Sequence, residues 1–194
     1  MTELLIGIAC CVAMAGTLFG YLQIAKKKYY EGHDPSSLSA TFYKTGWKFR
    51  VLLITLVLLL VYPVLLANGY YDGAWIYSAP TTLEAWGKFC FALCMGGIIG
   101  VSLNADFMKK EEWAHVISAG PLAATAALLG CSFRSTWYFA LVIWFSWLTF
   151  YVIKNQRNKK AGNPSARSLY LELVAFYSVP TCLILDMLLK YFRF

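Results

Sequence analysis

A chain of 194 residues that is 59% hydrophobic and only 14% charged cannot hide its apolar surface in one aqueous core, because a soluble domain is about half apolar and a quarter charged. Little sequence lies outside the apolar runs, which excludes a separate soluble domain; residues 1–194 are expected to form one polytopic membrane domain. The net charge of +7 is expected to serve orientation and attraction to anionic lipid, with no nucleic-acid partner.

A membrane-crossing helix needs about 20 apolar residues, and six runs approach that length: 4–24, 51–67, 83–103, 113–131, 136–153 and 168–189. The chain starts Met1-Thr2-Glu3, without the basic segment of a signal peptide, so the first run is expected to be a retained span. It carries Ala9, Ala13, Gly16 and Gly20 at four- and three-residue spacing. Asp34-Pro35 places a capping residue before a proline, ahead of residues 36–44 as an interfacial lead-in to span two. Span two itself is bulky on every face and is expected at the periphery.

The loop 68–86 holds Tyr70, Tyr71, Trp75, Tyr77 and Trp86, which reads as an interfacial aromatic belt. Thr81-x-x-Glu84 has the capping-box pattern at the start of span three. Gly96 and Gly100 in span three, and Ala119, Ala123, Ala127 and Gly130 in span four, permit close helix approach. Spans one, three and four are therefore expected to form the packed centre. Pro63, Pro121 and Pro180 lie inside spans two, four and six, where each removes a backbone donor and predicts a kink. Ser135 can cap span five, whose Trp137, Trp144, Trp147 and Tyr151 suit either helix packing or a cavity wall. Asn163-Pro164 repeats the cap-and-proline signal before span six.

Charge sets the orientation. On this map 13 of the 17 Lys and Arg residues, Lys26–Lys28 through Arg167, fall on one side, against Lys88, Arg134, Lys190 and Arg193 on the other. The positive-inside rule then puts the loops 26–50, 104–112 and 154–167 in the cytoplasm and both termini outside. The fold class is thus an all-α integral membrane bundle of about six transmembrane helices, both termini non-cytoplasmic, in the bacterial cytoplasmic (inner) membrane.

Ionisable groups at membrane depth are functional candidates. Glu172 lies about one turn into span six and His115 at the start of span four, at nearly the same depth. With Asn104, Ser102 and Arg50 they form a candidate polar cluster at the inner leaflet, His115 and Glu172 being able to handle a proton if their helices are neighbours. The plainer alternatives are a snorkelling Glu172 and a His115 bonded to Glu111 one turn back. Asp186, four residues before Lys190, suits an interfacial ion pair. The six cysteines, Cys90 and Cys94 one turn apart among them, read as small buried hydrophobes. No Cys-x-x-Cys, His-Glu-x-x-His, phosphate-binding glycine loop or Gly-x-Ser-x-Gly occurs, and two histidines cannot build a three-histidine zinc site. No metal and no cofactor is expected.

The stretches Ser37-Leu-Ser-Ala-Thr-Phe-Tyr, Trp113-Ala-His-Val-Ile-Ser-Ala and Tyr170-Leu-Glu-Leu-Val-Ala-Phe-Tyr-Ser together resemble an uncharacterised family of small multi-span membrane proteins from bacteria and their phages. That resemblance implies a fold but no activity, and it places His115 and Glu172 within the similar segments. Gly20-Tyr-Leu-Gln-Ile-Ala-Lys-Lys-Lys followed by Ser37-Leu-Ser is similar to the first-helix motif of PQ-loop and SWEET-type transporters. Leu22 replaces the hinge proline there, and no second copy follows.

Three function classes remain open from the residues. The first is a non-enzymatic protein acting by association in the bilayer, with a second copy or a membrane partner protein. The second is a small-solute or ion carrier or channel with a vestibule around His115 and Glu172. The third is an intramembrane lipid-modifying enzyme.

Overall fold

Long runs of Leu, Val, Ile and Phe favour helices in an apolar medium, because a helix satisfies its backbone groups internally where no water is at hand. The computed structural model describes residues 1–67, 69–71, 74–75, 82–106, 112–127, 129, 137–162 and 166–192. Among them α1 spans Thr2–Tyr29, α2 Phe42–Thr45, α3 Trp47–Ala67 and α4 Thr82–Leu103. Next, α5 (Glu112–Ile117) runs into a π-helical segment, Ser118–Thr125. Two long helices follow, α6 (Trp137–Lys160) and α7 (Arg167–Phe192). A two-residue antiparallel ladder, Tyr70 opposite Trp75 and Tyr71 opposite Ala74, interrupts the helices.

Among the described residues, four helices are long and apolar enough to cross a membrane: α1, α3, α4 over Ala85–Leu103 and α7 over Ser168–Leu189. At a rise of about 1.5 Å per residue, each covers most or all of a hydrocarbon core about 30 Å thick. The result is a helical bundle built for a membrane.

Packing corrects the expected order of the spans. Span two is at the centre: α3 packs on α1, α4 and α7 and buries Leu52, Leu53, Leu56, Leu60 and Val64. Large aliphatic side chains fill the space among three neighbours, so bulk marks the core here. The small-residue stripe of α1 faces outward instead, with open space over Gly16 and Gly20. A close approach uses other glycines of these helices. A Cβ at Gly100 would lie 2.5 Å from Ser118 Oγ, and one at Gly7 would lie 2.8 Å from both Leu66 Cδ1 and Met187 Sδ. Spans three and four therefore pack as expected, α4 against the π segment, through Gly100; Gly96 meets open space.

The lead-in to α3 also departs from expectation. Residues 39–41 form a 3-10 turn, α2 follows, and Gly46 at φ 58° breaks the path before α3. Ser37 caps this lead-in, its Oγ accepting the Ala40 N–H at 3.0 Å; Asp34 is engaged elsewhere. In span four the proline falls within the π segment, where the hydrogen-bond register slips by one residue, a known answer to a disrupted helical ladder. Pro63 and Pro180 lie inside α3 and α7, which continue through them. Asp186, expected at an interface, is 1% exposed. The Lys190 side chain, Thr81, residues 131–136 and residues 163–165 lie outside what is described, and with them Cys131, Ser135, Asn163-Pro164 and the capping-box contacts. The side chains of Tyr70, Tyr71 and Trp75, and residue Tyr77, lie outside it as well. Cys11, Cys90, Cys94 and Cys182 are buried free thiols.

Candidate functional site

The lead-in segment organises one end of the bundle. Its backbone approaches the first turns of α7, where helical N–H groups lack partners within their own helix. The Ser36 carbonyl accepts the Leu169 N–H at 3.0 Å. In return, the Leu38 N–H donates to Glu172 Oε2 at 2.6 Å. Glu172 therefore holds the lead-in on α7, while its side chain borders an interior cavity of about 60 Å³ that Met14, Leu53, Ile98 and Ala123 also line.

The other expected cluster residues are not in the lining of that cavity and contact one another in pairs. Arg50 sits over the Phe42 ring at 5.3 Å, and its backbone carbonyl accepts from Ser102 Oγ at 3.5 Å. Asn104 donates to the Gly100 carbonyl at 2.9 Å, and its own carbonyl lies 3.0 Å from His115 Nδ1. His115 is buried within α5 and meets the end of α4 through Asn104. Glu172 bonds the lead-in, not His115. The five residues share an end of the bundle without converging on one point.

A second polar group lies at this end, centred on Asp34. Lys26 Nζ reaches Asp34 Oδ1 at 3.1 Å and Lys154 Nζ reaches Oδ2 at 3.3 Å. The Tyr170 hydroxyl donates to Oδ2 and accepts from Asn158 Nδ2 at 2.7 Å. Partial burial raises the Asp34 carboxyl pKa, yet the Tyr170 hydrogen bond and the Lys154 and Lys26 charges outweigh it and hold the group below its ordinary value. Asp34 thus ties the ends of α1 and α6 to the start of α7. In the sequence, Asp34 before Pro35 reads as a helix cap; the signal for its observed role is an acid set between two cationic helix ends.

Above this group runs a groove. Helix α7 forms its floor, packing on both α1 and α6, which stand as walls. The groove encloses about 570 Å³ and extends from Lys26, Asp34 and Lys154 to Cys11 and Ile184. Its aromatic wall, Trp147, Tyr151 and Tyr177, belongs to a stacked series that Tyr170 continues: Tyr170 on Tyr151 at 5.3 Å, Tyr151 on Trp147 at 6.0 Å, and Trp147 on Tyr177 at 5.2 Å. Offset stacking of this kind adds about 0.5–1.5 kcal/mol per pair beyond area burial. Trp147 and Tyr151, from the span-five stripe, therefore serve both packing and a cavity wall.

These features define a helical bundle with membrane-length apolar helices, a cationic end and a lateral groove. The chain matches no protein-family model, no curated protein and no solved structure. Among the described residues no three His, Cys, Asp or Glu side chains group as metal ligands.

Proposed function

We propose that this chain is a multi-pass integral membrane protein of the bacterial cytoplasmic membrane that acts by association within the bilayer. Six crossings, cytoplasmic basic loops and non-cytoplasmic termini complete the reading. Two further observations support six: α6 is 24 residues long, and α5 with the π segment packs along α4.

The observation that carries association is the outer face of α1. Only 28% of its apolar window is buried within the molecule, against 50% for α3 and α7, and Gly16 and Gly20 meet open space. In lipid, such small-residue faces let a second helix approach closely. The partner is a second copy or another membrane protein. Gly20→Leu, at a position outside the groove lining, should leave folding intact, because nothing lies within 4 Å over it, and should reduce cross-linking between chains, or to a partner, at least fivefold in native membranes. A wild-type chain that is strictly monomeric in native lipid, with no co-purifying protein, contradicts this reading.

A carrier or channel is the second reading, favoured by one observation: the Glu172 carboxylate borders the interior cavity. On that reading Glu172→Gln, which keeps an acceptor for the Leu38 N–H, abolishes proton-dependent flux in vesicles. His115→Ala does the same if the two residues act together. Unchanged flux in both variants eliminates it.

A further inference from the structure

The groove between α1 and α6 has the form of an amphiphile's binding site: polar and cationic at one end, apolar along the rest. From Cys11 to Lys26 its α1 wall is 16 residues long, about 22 Å at helical rise, which exceeds half of a hydrocarbon core of about 30 Å. A lipid chain entering from one leaflet fits that length, and about 570 Å³ lies within the usual range of about 300–1,000 Å³ for ligand sites. Val12, Phe19, Phe150, Leu173 and Ile184 line the apolar part. The groove is open along its side, as lateral entry from a bilayer requires.

The polar end selects the headgroup. Asp34 takes one contact from each of the Lys26 and Lys154 ammonium groups, and each ammonium carries three donors. Their side chains remain 32% and 40% exposed, which leaves donors directed away from the carboxylate. Both oxygens of Asp34 are already engaged by Lys26, Lys154, Tyr170 and Asn158, so its charge is neutralised locally and the trio is net positive. Lys27 and Lys28 in the last turn of α1 add cations, as do Arg157, Lys159 and Lys160 in the last turn of α6. Glu31 is the remaining acid of the intervening loop. An anionic oxygen group complements this end; a quaternary amine does not.

We infer that the groove between α1, α6 and α7 binds one anionic phospholipid, its phosphate between Lys26 and Lys154 and an acyl chain along the aromatic wall. This inference needs bilayer embedding but not the association proposed above. Its test is to wash the full chain in mild detergent, exchange it with equal parts phosphatidylglycerol and phosphatidylcholine, and count the lipid retained per chain by mass spectrometry. Wild type should hold about one phosphatidylglycerol and exclude phosphatidylcholine at least fivefold. Val12→Trp, which fills the groove from an exposed position and keeps both lysines, should lower retention at least fivefold with an unchanged melting temperature. Lys26→Ala with Lys154→Ala should erase the preference between the two lipids. Equal retention of both lipids by wild type overturns the inference. So does full retention by the Val12→Trp chain, or a photo-crosslink from the groove to a protein in place of lipid.

Discussion

At the scale of single residues, Asp34 and Glu172 show how much an acid's role depends on what faces it. Both lie near a helix start, and both receive hydrogen bonds that bind separate parts of the chain together. Hydrogen bonds to charged groups contribute about 1.5–3 kcal/mol, so Asp34→Asn should destabilise the protein by about 2 kcal/mol at pH 7, read as thermal unfolding in lipid. The sign of the pH dependence follows from the lowered carboxyl pKa. The ionised form is favoured by folding, so its contribution is complete above the unfolded value of about 3.9 and is lost as pH falls through the lower native value. The gap between wild type and Asp34→Asn should close below about pH 4. A gap that stays constant into acid would show that the charge contributes nothing. Glu172 was legible as a residue of interest because an acid in an apolar run is costly. Its partner was not legible, since a backbone N–H 134 residues away leaves no mark in composition or spacing.

At the scale of helices, hydropathy located the long elements well. The runs at 51–67 and 83–103 reappear within α3 and α4, and α1 and α7 extend a few residues beyond their apolar cores. Which helix stands at the centre was not legible. Small residues were expected to mark the core, but they allow close approach only where a neighbour is present. Gly100 has Ser118 against it, whereas Gly16, Gly20 and Gly96 have none within 4 Å. Overpacking costs about 1–3 kcal/mol, so Gly100→Ala should destabilise the chain by that amount. Gly96→Ala should be neutral or slightly stabilising, because helical glycine costs about 0.5–1 kcal/mol relative to alanine. Equal melting temperatures for the two variants would contradict the packing of α4 on the π segment.

At the scale of the whole molecule, the stretches 37–43 and 170–178, singled out from the sequence by resemblance, lie against each other at the cationic end. Leu38 bonds Glu172, and the segment also docks through Ser36 and Leu169. The π segment, the lead-in broken at Gly46 and the lateral groove emerge only from three-dimensional packing. The groove's walls come from helices more than 100 residues apart, and no local pattern announces that α1 and α6 will flank the same floor.

The central claim is that hydrocarbon surrounds these helices and that their cationic ends face the cytosol. It is tested most directly by placing single cysteines at Thr2, Lys27 and Lys159, all exposed, and treating intact cells with a membrane-impermeant thiol reagent. Labelling is expected at position 2 in intact cells, and at positions 27 and 159 only after the membrane is opened. Labelling of 27 and 159 in intact cells, with position 2 protected, would contradict it.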